Sequence, residues 1–538
     1  MNNPTPSPGS TRLPTFSRFF RWFFGRRTLG RLLVGLAALV TLIALVGAEE
    51  NWRGRHAWLS YKRQLEAQGE KLDWKDYVPP AVPDAQNFAM TPLLVPILDF
   101  NPRPRTQGQS LWRDTNGYNR ISALQEEIGK LEQATGDHHL PRVTPRMTDL
   151  PGWAAALTGK TNNAVGTRAP SLTRVEAATE VLRGLEKYSP VVDELRIASQ
   201  RSYARFNIRY EEDFAPAILL THLSFLKQAT VLFQVRASAE LALGQTDEAW
   251  SDIRMALYLA DTLKDEPFLI SKLVQIAMVQ LSLNPIWEGL AEHRWSDAQL
   301  VEIEQRLGKI DLLADAAMRG ERALSIRTIE QMRDQGIIDG AGLSRRLPGV
   351  LSFLLGGFFY QNELSIVRMY QQFFVPVADA ANQRIYPSRA VANNAALAKA
   401  VGGGFRPYNL LARMLLPAIA QAETKFALGQ TRVNEAIVAC ALERYRLAEG
   451  QFPESLEPLS PRFLAKLPHD IITGAPLIYR RATDGRFILY SVGWNEKDDG
   501  GTVVVLHAKL TNPDFTQGDW VWQYPTPAVS PVHEAVMK

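Results

Sequence analysis

One stretch near the start of the chain has no polar face at all. Leu29 to Ala48 reads LGRLLVGLAALVTLIALVGA, and with Arg31 reaching back to the headgroups it has the roughly 20 residues that cross about 30 Å of hydrocarbon. A core helix is seldom so uniformly apolar. The pattern predicts a transmembrane helix over residues 29–48, behind a basic arm at 1–28. Val46-Gly47-Ala48 also offers small residues to a signal peptidase, so a cleaved signal peptide is the competing reading. The long arm and the long apolar run argue against it.

Beyond the run the period changes. Trp58, Tyr61 and Leu65 fall at i, i+3 and i+7, which predicts an amphipathic membrane-proximal helix across 49–77, halted at Val78-Pro79-Pro80. Residues 78–171 show weak periodicity and read as an irregular wrap with short helices. Asp84 would cap one through AQNFAMTPLL, and Ile121–Ala134 forms another. From 172 to 400 the spacing is helical almost throughout, with helices expected at Pro267–Leu290, Asp297–Gln335 and Leu351–Val375. LPGVLSFLLGGFFY (Leu347–Tyr360) is apolar but short and broken by glycines, so core burial or a shallow membrane contact is expected there, not a second span.

Ala398–Gly404 (AKAVGGG) reads as a flexible break before a module at 405–538. Within it a long helix, Leu410–Leu447, precedes strands at Leu477–Arg481, Arg486–Gly493 and Thr502–Ala508. Asp484-Gly485 marks a hairpin, and GDWVWQYP suggests a last strand. The predicted class is mainly α: an N-terminal transmembrane helix, an α-helical array or bundle ectodomain, and a small C-terminal α+β module with an antiparallel sheet.

Charge sharpens the picture of the ends. The 538-residue chain carries 60 basic and 56 acidic residues, but six arginines and no acid precede Ala48. The remainder holds 54 basic against 56 acidic residues, so no basic nucleic-acid face is indicated on the body. Arginines before the apolar run and Glu49-Glu50 after it orient the helix with its N-terminus in the cytoplasm. Cys440 is the single cysteine, which rules out an intramolecular disulfide; its helical setting suits a buried thiol.

Two segments resemble known families. FQVRASAELALGQTDEAWSDIRMALYLAD (Phe233–Asp261) is similar to a single tetratricopeptide unit. In that reading Gly244 makes the turn, Ala249 and Ala256 give close helix contacts, and Ile253 fills the core; Arg236 departs from the family's leucine. ALERYRLAEGQFPESLEPL, LPHDIITGAPLIYRR and FILYSVGWNEKDDGG resemble the globular domain of type II secretion major pseudopilins, over about residues 436–501. In that family the acidic loop binds calcium, which implies Asn495, Asp498 and Asp499 as candidate ligands and Ca²⁺ as a candidate ion. Phe452-Pro453 and His469-Asp470 depart from the family pattern, and three ligands fall short of the roughly six to eight oxygens calcium takes. A hairpin turn, a calcium loop and a catalytic site all stay open for this elbow.

Catalytic signatures are scarce. The sequence has no HExxH, GxSxG or GxxxxGK[ST]. Asp137-His138-His139 is a solvated loop or a metal site. Glu211-Glu212-Asp213, beside Arg201, Arg205 and Arg209, is an ion-paired surface or a polar groove, and Gly402-Gly403-Gly404 a hinge. No catalytic residues and no organic cofactor are assigned. The whole is similar to membrane-anchored bacterial proteins. The expectation is a single-pass inner-membrane protein, held through residues 29–48 with its body in the periplasm, that binds other envelope proteins without catalysis. The alternatives are a secretion- or pilus-related component and an extracytoplasmic hydrolase using Glu211 and Asp213.

Overall fold

The computed structural model describes residues 26–523, except 102–109, 136–144, 160–171, 211–214, 314–315, 336, 339–343, 346–348, 405 and 508–509. His138, His139, Glu211, Glu212 and Asp213 therefore lie outside the described residues. The helices used below are α1 (Arg26–Ala67), α2 (His222–Ala242), α3 (Thr246–Asp261), α4 (Leu269–Ala291), α5 (Ala316–Gln335), α6 (Gly349–Met369), α7 (Pro387–Val401), α8 (Leu410–Ala420) and α9 (Ala422–Glu449). The chain divides into two compact units, one of residues 1–68 with 329–364 and one of 69–328 with 365–538.

In the first unit α1 is one uninterrupted helix of 42 residues, about 60 Å long at 1.5 Å per residue. Its apolar half exposes Leu32, Leu36, Val40 and Ile43, and it is long and apolar enough to cross a membrane. A second helix passes the same test, α4, but it is mostly buried and serves as core. The apolar helix thus continues into the amphipathic stalk without a break. It ends at Ala67, earlier than expected, because Gly69 takes φ +87°, a conformation that L side chains resist.

Leu354–Leu364 of α6 packs on this stalk through glycine. A Cβ on Gly357 would lie 2.6 Å from the backbone of Glu50, and one on Gly54 would lie 3.0 Å from the carbonyl oxygen of Gly357. The two backbones meet directly, as small residues permit between helices. This is the use of the glycine-broken apolar segment. Beside the seam, Arg333 lies 4.5 Å from the Tyr360 ring centroid and donates to buried Glu363 at 2.8 Å. Burial pushes the Glu363 carboxyl up to about 8 despite Arg333.

In the second unit α2 and α3 form a hairpin that turns at Gly244 (φ +77°), with Ala249, Ile253 and Ala256 fully buried. Arg236 donates to the carboxylate of Asp252 across the hairpin, so the residue that departs from the repeat pattern is consumed by an ion pair. α4 packs on both helices, and α9 packs on α4. Gly429 makes the second contact possible, since a Cβ there would lie 2.9 Å from Ile276. Buried Glu288 on α4 accepts hydrogen bonds from the Thr148 N–H and hydroxyl, Ser238 and Asn284, and pairs with Arg174, which ties the preceding wrap to the array.

Several boundaries move for local reasons. The helix expected after Asp84 is instead two short 3-10 turns and Val95–Leu98, because the Asn87 side chain accepts from the Ala89 N–H and restarts the chain. Asp297–Gln335 is two helices, Asp297–Leu307 and α5; between them the Leu312 N–H is taken by the Gln430 side chain. α6 ends at Met369 in a π-helical turn, Tyr370–Phe374, ahead of Pro376. Ala398–Val401 is helical, so only the glycines form the break. Leu410–Leu447 is interrupted at Gln421, four residues after Pro417 removes a backbone donor.

The C-terminal strands are β1 (Ile478–Arg481), β2 (Phe487–Ser491), β3 (Val503–His507), β4 (Leu510–Gly518) and β5 (Trp520–Trp522). β2 is central to an antiparallel sheet of order β1-β2-β5, while β3 and β4 form a separate ribbon. The sheet packs on α9, where Leu489, Trp520 and Val521 are fully buried.

The seam in the first unit is testable. Gly357→Leu should cost about 1–3 kcal/mol by overpacking and lower the melting temperature of the detergent-solubilised full chain. Gly35→Leu, where nothing lies within 4 Å of the new Cβ, should leave it unchanged.

Candidate functional site

The acidic elbow is built around a residue outside the predicted ligand set. Asp519, just before β5 and 1% exposed, accepts from the backbone N–H groups of Asp499 (3.2 Å), Gly501 (2.6 Å) and Thr502 (3.3 Å). Burial raises its pKa while those three donors hold it down. Asp498 accepts from the Tyr490 hydroxyl and the Gly500 N–H, both at 2.9 Å, and these lower its pKa. Asn495 donates its side-chain amide to Asp499 at 2.7 Å. The three candidate calcium ligands thus sit in one loop and each makes hydrogen bonds within it, the Asn495 oxygen accepting from the Lys497 N–H. Among the described residues no three His, Cys, Asp or Glu side chains cluster as metal ligands would. Asp519 follows a left-handed glycine, Gly518 (φ +71°), a signal the sequence does carry.

Polar burial fixes the module to α9. Arg432 donates to Glu435 at 2.6 Å and to the Val521 carbonyl at 2.8 Å. Asp470 accepts from the Ser491 hydroxyl and the Ile472 N–H. Burial pushes Glu435 up to about 7, against the pull of Arg432 and with a push from Asp470. Cys440 is buried in the same helix and its thiol pKa is raised by that burial, which suits a packing role.

Arg201, Arg205 and Arg209 are not a surface of open charges. Arg201 donates to the carbonyls of Asn87 and Met90, Arg205 to that of Pro79, and Arg209 lies over the Phe100 ring. They staple the wrap to the array.

The elbow borders a wide groove of about 870 Å³. One wall is α7, another the α8–α9 junction, and the third is Trp494–Glu496 with Thr516 and Gln517. Its apolar lining is mostly small side chains: Val391, Ala392, Leu397, Ala398, Val401 and Ala420, with Pro417 and Trp494. Its polar lining is hydroxyl and amide, Ser388, Asn394, Gln421, Thr424, Asn495 and Gln517 among them, and Glu496 is the one charged residue lining it among the described residues. Glu496 has φ +58°, a costly conformation for a non-glycine residue and one that collects at functional loops. α8, which supplies Pro417 and Ala420, also exposes Leu410, Met414 and Leu415.

No family model, curated protein or solved structure matches the chain.

Two outcomes test this geometry. Asp519→Ala leaves three backbone donors without their acceptor, and at about 1–3 kcal/mol for an unmet buried group a clear drop in melting temperature is expected, with a change in tryptophan fluorescence from Trp494 and Trp520. Glu435, whose folded pKa exceeds its unfolded value, holds a proton near neutrality that the unfolded chain has released. Its contribution therefore falls as pH rises from about 4.5 toward 7. Melting curves of Glu435→Gln should decline less over that window than those of the wild type.

Proposed function

We propose that this is a single-pass, membrane-anchored protein of the bacterial envelope whose body, outside the cytoplasm, binds an extended segment of another envelope protein. What supports the reading is the groove beside the elbow. Its small apolar lining residues accept small apolar side chains, and the neutral amides and hydroxyls among them match the donors and acceptors of an extended main chain. A groove with one charged lining residue favours a neutral segment over an anionic or cationic ligand. The anchor, α1, would tether the body to the membrane, with the six arginines of the arm kept in the cytoplasm. A second reading, a secretion- or pilus-related component, draws support from the helix-plus-antiparallel-sheet module and its Asp-rich loop.

Both parts have direct tests. Protease added to spheroplasts should digest the body and spare the arm; a fully protected body would sink the orientation. A photo-crosslinker at Ala398 or Thr516 should yield one discrete adduct, mapped to an uncharged segment rich in small apolar residues. The same probe at Ile197, an exposed helical position far in sequence from the groove residues, should not. Equal adducts at all three positions would reject the groove as the docking surface.

A further inference from the structure

On the other side of the α8–α9 junction is a partly enclosed cavity of about 40 Å³, distinct from the groove. Its walls include Leu313, Phe374, Val377, Ile385 and Phe426, all apolar, and the ionisable side chains of Arg319, Arg322 and Glu423. Arg322 has no exposed surface. Its Nη2 donates to Glu70 at 2.7 Å and to the Lys71 carbonyl at 3.0 Å, while Nε and Nη1 have no acceptor among the described residues. Glu423 is 5% exposed, and neither carboxyl oxygen has a partner among the described residues.

Leaving such groups unmet costs about 1–3 kcal/mol each and more when charged, so proteins nearly always pair them. Here two of opposite type line one small cavity. The cavity also borders the π-helical turn Tyr370–Phe374, a distortion that recurs at functional sites.

We propose that this cavity binds the carboxylate end of a short-chain organic acid. Glu70 lies beside both Arg322 and Arg319 (3.5 Å), yet two of the Arg322 nitrogens still have no acceptor among the described residues. Burial alone raises the Glu423 carboxyl to about 8, so near neutrality it is an O–H donor, not a second anion. A guanidinium and a carboxylic acid suit a carboxylate, and a cation would meet Arg322 and Arg319. The space takes about three water-sized groups, enough for a carboxylate and its adjoining carbon. The apolar walls then favour a short alkyl chain over a strongly hydrated ion such as sulfate.

The test uses full-length protein in detergent at pH 6.5, titrated with butyrate by calorimetry and followed by thermal melts. Saturable binding and a raised melting temperature are expected, with no such rise from equal chloride or methylammonium. Arg322→Met should weaken binding by roughly tenfold or more, as loss of a charge-assisted partner does. Ala378→Trp, at an exposed position on the cavity wall, should do likewise while leaving Arg322 and Glu423 in place. Glu423→Gln keeps a donor and should bind within about threefold of wild type. The proposal fails if wild type gives no saturable heat, if chloride gives the same rise as butyrate, or if Ala378→Trp binds as tightly as wild type. The Ala378→Trp result stands even where Arg322→Met does not fold.

Discussion

Much of the second unit depends on one helix being buried along its length. α9 packs on α4 with one face and carries the sheet on another, so even its polar residues Gln430, Arg432, Glu435 and Glu443 lie inside. A helix in that position cannot leave its polar groups to water, and several of them find partners in the elements around it. Gln430 holds the Leu312 N–H, Arg432 holds the Val521 carbonyl, and Asn434 reaches the His469 carbonyl. These bonds join the helical array to the C-terminal module more specifically than apolar packing could, because each requires one register. The cost appears in Glu435, which burial drives toward the neutral acid.

The start of α9 is where this order loosens. Pro417 and the break at Gln421 separate α8 from α9, and the two concave features of this region lie on either side. One is open and lined largely by small apolar and neutral polar residues; the other is narrow and is lined by a guanidinium and a carboxyl with unmet hydrogen-bonding groups. The groove suits a chain segment and the cavity a small molecule. Neither depends on the other for its chemistry.

The first unit solves a different problem. A helix of 42 residues has little to stabilise its outer half unless something packs along it, and α6 does so by glycine-to-backbone approach. Its buried pair, Arg333 and Glu363, resembles Arg432 and Glu435 of α9: a carboxyl taken inside beside a guanidinium.

The sequence by itself determined the elements whose signal is local. The membrane-length apolar run, the helical period of segments such as Phe233–Asp261 and Pro267–Leu290, the Gly244 turn and the Asp484-Gly485 hairpin all depend on neighbours within a few residues, and helices and turns form there. The fold class was legible for the same reason. Only the tertiary structure decided which residues meet across long separations. Asp519 closing the elbow, Glu288 gripping Thr148, and Arg322 sharing a cavity with Glu423 each join residues between 17 and 140 positions apart. Periodicity reports which face of an element is apolar, and it is silent on which partner that face will find. Burial is a property of the assembled chain, so the unmet charges of the cavity and the neutral polar lining of the groove come into being only when distant segments pack.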